Sequence, residues 1–235
     1  MNRRRFSASL GVLSIMGAPT VVLGGSSSDK EALQVRSFSS ERLHQSLNLL
    51  QAAYEAKVLQ VSQSLLPPLT EGELRERCAW FPAQLPTELV SLYSWHNGQG
   101  HGASDEKYPF WFRDCSFISV DQARAEYKSI MQSYGRPEYR VPEIDLRTCF
   151  PFAAFNGGWY VFPCKGQRYD SRLNSPIISV FQGVGIHYYS IEQMVETCVD
   201  WVRQPSYGGE KNTPDEKESM AIWKKHNPGI FPSAK

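Results

Sequence analysis

The chain has 235 residues, with 25 Lys+Arg against 24 Asp+Glu and a formal net charge of +1. Hydrophobic residues make up 41%, charged residues 21% and aromatics 12%, which excludes global disorder and a collagen-like or coiled-coil chain. Near-neutral charge leaves no basic footprint for nucleic acid, and the length suits one large domain or two small ones.

Residues 1–25 differ from the rest. Arg3, Arg4 and Arg5 precede an apolar stretch without an acidic residue, the layout of an export signal. Arg3 and Arg4 with Phe6 resemble the twin-arginine variant. Ser7, Ser9, Gly11, Ser14 and Gly17 dilute the apolar stretch, so it is weak as a membrane span. Val22-Leu23-Gly24 offers small residues for cleavage, and residues 26–38 read as a polar linker. Cleavage near residue 25 removes three of the 25 basic residues, leaving 22 against 24 acidic ones and a net charge of −2. The expectation is an exported protein of the periplasm or cell envelope, with no stable membrane span once the signal is cut. A non-functional signal would leave it in the cytoplasm.

Ser39 or Ser40 caps a helix from Glu41, where Leu43, Leu47, Leu50, Tyr54, Val58 and Val61 recur every three or four residues; Pro67-Pro68 ends it. Thr70 with Glu73 forms a capping box for a shorter helix to about Trp80. Pro86 opens a third helix that buries Leu89, Leu92 and Tyr93 and stops at Asn97-Gly98. Residues 98–107 are a polar, glycine-rich loop, and 108–112 and 116–118 are short edge segments. Ser119 with Gln122 caps a helix carrying Ala123, Tyr127, Ile130, Met131 and Tyr134.

Residues 135–147 form a loop. From 149 the period changes: 150–155, the turn Asn156-Gly157-Gly158 and 159–164 read as a β-hairpin. Further strands cover 176–182 and 186–189, broken by Gly183 and Gly185, and Ser190 with Gln193 caps a last core helix. Beyond Gln204 the chain is polar, with a short helix around 215–226. The fold class is α+β with a mainly antiparallel sheet, and the domain spans residues 39–204 with a tail over 205–235.

Motifs for chemistry are sparse. Cys78, Cys115, Cys149, Cys164 and Cys198 form no C-x-x-C pair and sit among apolar residues, so buried thiols are expected; a bridge, if formed, would join Cys149 to Cys164. His96, His101, Asp105 and Glu106 lack metal-ligand spacing, and solvated loop residues are the simpler reading. No G-x-S-x-G, P-loop, H-E-x-x-H or dinucleotide fingerprint occurs, so neither catalytic residues nor a cofactor or metal is expected. Gly183-Val184-Gly185 reads as a turn or bulge. Trp95 and Trp111 flank the 98–107 loop, so with Asn97, Trp159 and the acidic rim Asp105 and Glu106 they form the candidate partner-binding set. Core packing is the competing reading for each indole.

Four landmarks in order resemble the SUKH superfamily, which includes fungal cell-wall-assembly regulators of killer-toxin resistance. They are Leu66-Pro67-Pro68-Leu69-Thr70-Glu71; Leu85-Pro86 through Leu92-Tyr93 to Trp95-His96-Asn97-Gly98-Gln99; Phe150-Pro151-Phe152-Ala153 with Asn156-Gly157-Gly158; and residues 176–181 followed by Tyr188-Tyr189-Ser190. The match spans about residues 40–203. Where the family often places acidic residues after the glycine turn and at the end of the next strand, this chain has Trp159-Tyr160 and Phe162-Pro163-Cys164. The resemblance implies a non-enzymatic, protein-binding domain, either neutralising a toxin as an immunity protein or serving cell-wall regulation. An envelope enzyme or glycan-binding protein with an aromatic-lined groove is the alternative.

Overall fold

The computed structural model describes residues 38–57, 61–100, 111–112, 115–135, 144–155, 157–164, 175–207 and 216–230. The leader with Arg3, Arg4 and Phe6, the expected loop residues His101, Asp105 and Glu106, and Tyr108 and Phe110 of the expected 108–112 edge segment lie outside them.

The first helix, α1 (Ser40–Ala56), starts where Ser39 accepts a hydrogen bond from the Arg42 amide at 3.3 Å, and it buries Leu43, Leu47, Leu50, Ala53 and Tyr54. It ends at Lys57, not at Pro67-Pro68: a separate 3-10 turn, Val61–Ser64, follows. α2 (Glu71–Arg77) carries the complete Thr70–Glu73 capping box and stops short of Trp80. α3 (Thr87–Trp95) starts after Pro86. α4 (Val120–Tyr134) has the Ser119–Gln122 box. α5 (Ile191–Arg203) is capped by Ser190. Apart from α3, where Pro86 supplies no side-chain cap, these starts share one cause: a short side-chain oxygen takes up an amide that the first turn leaves unpaired.

The strands β1 (Ser116–Phe117), β2 (Cys149–Phe155), β3 (Gly158–Pro163), β4 (Ile177–Val180) and β5 (Val184–Tyr188) form one antiparallel sheet in sequence order, a meander. The fold is α+β. Every residue of β3, and every residue of β2 except Phe155, is buried, which requires cover on both faces of the central hairpin. Phe152 bulges out of the ladder between Pro151 and Ala153 and packs its ring on Phe112 and Phe162. Gly185 does not break a strand; it pairs with Ser179 inside β5.

α1 runs along α5 and α3, while α4 packs on β2. The ends of the α1–α5 pair are fastened by Arg42 to Glu192 at 3.5 Å and by Lys57 Nζ donating to the Gln204 carbonyl at 2.9 Å. The helix expected near 215–226 is α6 (Glu216–His226). It packs on α5 and buries Trp223, so the packed core does not end at Gln204, where the sequence turns polar. No helix among the described residues is long and apolar enough to cross a membrane.

Candidate functional site

The residues from Trp95 to Gln99 leave α3 and thread between the 61–66 segment and the β1–α4 junction. His96 Nδ1 lies 2.7 Å from the Leu66 carbonyl, and a carbonyl only accepts, so Nδ1 carries the proton. The Leu66 amide donates to the Gly98 carbonyl at 2.8 Å. Asn97 Oδ1 accepts from the Val120 amide at 3.1 Å, adding to the Ser119–Gln122 cap at the start of α4. Gly98 has φ +76°, and a Cβ there would come within 2.5 Å of the Ile118 carbonyl carbon and the Ser119 nitrogen. Only glycine fits that approach.

Gln99 joins both ends of the 101–110 segment. Its amide donates to the Phe117 carbonyl at 2.7 Å. Its Oε1 accepts from the amides of Trp111 and Phe117, at 3.2 and 3.1 Å, and its Nε2 donates to Ser64 Oγ at 3.0 Å. The Gly100 amide, at the segment's near end, donates to the Ser64 carbonyl at 2.7 Å. The Trp111 carbonyl, at its far end, accepts from Tyr54 Oη at 2.9 Å. The residues on either side of the 101–110 segment are therefore held at one buried base.

The candidate tryptophans serve that interior. Trp111 is 0% exposed and its ring stands 5.1 Å from Trp95 and 5.6 Å from Tyr54. Trp95 is 9% exposed and donates Nε1 to Asn48 Oδ1 at 2.8 Å. Trp159, 7% exposed, donates Nε1 to Glu126 Oε2 of α4 at 2.6 Å. Asn97 is buried too. None of these four presents an anchor to solvent, which corrects the expected indole-lined groove. Trp95, Trp111 and Asn97 meet at the loop base, whereas Trp159 belongs to the sheet–α4 contact.

No protein-family model matches the chain, and no curated protein sequence matches it.

One serine–histidine pair occurs between α1 and α3. His44 Nε2 lies 3.1 Å from Ser91 Oγ but 2.9 Å from the Ser91 carbonyl, which can only accept. Nε2 therefore carries a proton and has no lone pair for a general base, and Ser91 is buried. The pair ties two helices together. All five cysteines are buried reduced thiols, Cys149 and Cys164 included. Burial, with the Asp121 carboxylate adding to it, pushes Cys78 up to about 12. Burial likewise raises Cys164. These thiols are poor nucleophiles and poor metal ligands at neutral pH. Among the described residues no three His, Cys, Asp or Glu side chains converge as a metal site. The role of Gln99 escaped the sequence reading, because a loop glutamine carries no signal for burial.

Proposed function

We propose that the chain is a non-enzymatic protein-binding domain of the SUKH-like kind, exported to the cell envelope, which engages a toxin or a cell-wall-associated protein through the 101–110 loop. The observation that carries this reading is the Gln99 clamp, which fixes both ends of a polar, glycine-rich loop on one buried base. A fixed base lowers the ordering cost of a recognition loop, so binding energy is not spent on positioning it. The α+β fold is of the class that the SUKH resemblance implies. With the indoles inside, Asp105 and Glu106 become the residues expected to face a partner, and a partner with a basic surface fits them.

The test is affinity capture of the tagged chain from its own envelope fraction, beside an Asp105→Lys, Glu106→Lys double variant. A protein held stoichiometrically by the natural chain and released by the variant, at unchanged melting temperature, is the expected result. Retention by both, or by neither, removes the loop as the interface. Export is tested separately by changing Arg3 and Arg4 to Lys, which should leave the tagged protein in the cytoplasm.

A further inference from the structure

The C-terminal helix is fastened at several points. Trp201 Nε1 of α5 donates to the Ser219 carbonyl at 3.1 Å. Trp223 is buried, its ring 5.6 Å from that of His187, the residue that bulges from β5. Asn227, 0% exposed, donates to Thr197 Oγ1 at 3.4 Å and accepts from the Tyr189 amide at 3.3 Å. Amid these lies one charged cluster. His226, 13% exposed, places Nε2 2.8 Å from Asp200 Oδ2 and Nδ1 3.7 Å from Glu196 Oε2. Lys225 Nζ meets the same Asp200 oxygen at 2.6 Å. Carboxylates only accept, and a neutral imidazole has one N–H, so it must turn a lone pair toward one of the two. The imidazolium presents an N–H to each, as a hydrogen bond to Asp200 and an ion pair with Glu196.

We propose that His226 is a pH-operated latch for the C-terminal helix: its protonated ring holds α6 to α5 through Asp200 and Glu196, and losing the proton loosens α6 over the surface beneath Trp223. The charged groups facing the ring are Glu196 and Asp200 from α5 and Lys225 from α6. Glu192, one turn before Glu196, repels it and is bound by Arg42. From β5, His187 meets Trp223, and the Tyr189 hydroxyl donates to the Pro228 carbonyl beyond the helix.

The Glu196 and Asp200 carboxylates outweigh burial and hold His226 above its ordinary 6.5. Burial opposes the charge on Asp200, but hydrogen bonds from Lys225 and His226 bring it below its ordinary 3.8. The histidine contribution is complete below 6.5 and disappears as pH rises through the folded value. The aspartate contribution is complete above 3.8 and fades as pH falls through its own folded value. Docking is firmest between those two ordinary values. The indole contacts and Asn227 do not titrate, so α6 loosens without detaching.

The test uses NMR on the full chain between about pH 5.5 and about pH 8.5. We expect His226 to titrate above 6.5. Opening of the α6 amides, corrected for intrinsic exchange, should rise along the same curve, by up to about tenfold per pH unit between the unfolded and folded midpoints. His226→Gln should flatten that rise, His187→Gln should leave it, and Asp200→Asn should move the His226 and opening midpoints down together. A flat profile in the natural chain, an unchanged one in His226→Gln, or midpoints that separate in Asp200→Asn would each overturn the latch.

Discussion

Two glycines with nearly the same backbone angle should respond very differently to one methyl group. Gly157 has φ +78° and open space around its missing Cβ, so Gly157→Ala should cost only the left-handed conformation, about 1 kcal/mol. Gly98, at φ +76°, would drive its Cβ into the Ile118–Ser119 peptide at 2.5 Å. That backbone begins α4 and cannot yield without releasing the cap, so Gly98→Ala should cost well over that amount. Urea denaturation of both variants checks the difference, and equal midpoints would refute the close approach. Gln99 offers a second contrast. Gln99→Leu leaves the Trp111 and Phe117 amides without their buried acceptor, at roughly 1–3 kcal/mol for each unpaired group. Trp111→Phe instead removes an indole N–H that has no hydrogen-bond partner among the described residues, which offsets part of the lost apolar area. We expect Trp111→Phe to be milder than Gln99→Leu in the same denaturant series. At this scale the thiols also make a prediction. A water-soluble disulfide reagent should react with none of the five cysteines at neutral pH until denaturant is added, since burial both hides Cys78 and raises it to about 12.

Secondary structure was most legible where a side chain closes on its own backbone. Thr70 with Glu73, Ser119 with Gln122, and Ser190 ahead of Gln193 stand in the sequence at the spacing a first helical turn demands, and each starts a helix. Ser119→Ala should therefore destabilise the domain by about 1 kcal/mol, read from the thermal midpoint. The effect should add poorly to Asn97→Ala, because Asn97 Oδ1 holds the adjacent Val120 amide. Helix ends were less legible. Apolar residues continue at helical spacing through Val58 and Val61, yet α1 finishes at Ala56 and Val61 starts a 3-10 turn, so periodicity outlived the helix. The bulge at Phe152 was hidden for a related reason. Phe150-Pro151-Phe152-Ala153 is apolar at every position, and a run with no alternation carries no register. The candidate site failed in the same way. Trp95 and Trp111 beside a polar loop look alike in sequence whether they face solvent or each other, and only the packing of Trp111 on Trp95 and on Tyr54 of α1 decides it.

Across the whole molecule, α1, the helix that starts the domain before the sheet, meets α5, the helix that follows the sheet. Lys57 and Gln204, joined by a hydrogen bond, are 147 residues apart in the chain. The sheet is the opposite case, because every strand pairs with its neighbours in sequence. Truncation before α6 should expose Trp201 and the surface that buries Trp223, lowering the melting temperature and promoting association, as light scattering would show. The long separation also bears on synthesis. At ribosomal speeds of about 5–20 residues per second, α1 waits on the order of ten seconds for α5 to emerge. Throughout that interval Leu43, Leu47, Leu50 and Tyr54 have α3 to pack on but lack the larger cover of α5, while the meander can pair hairpin by hairpin. The nascent chain thus carries its most adhesive surface at the front and its lid at the back, and a chaperone that holds the first helix has the whole length of the sheet in which to act.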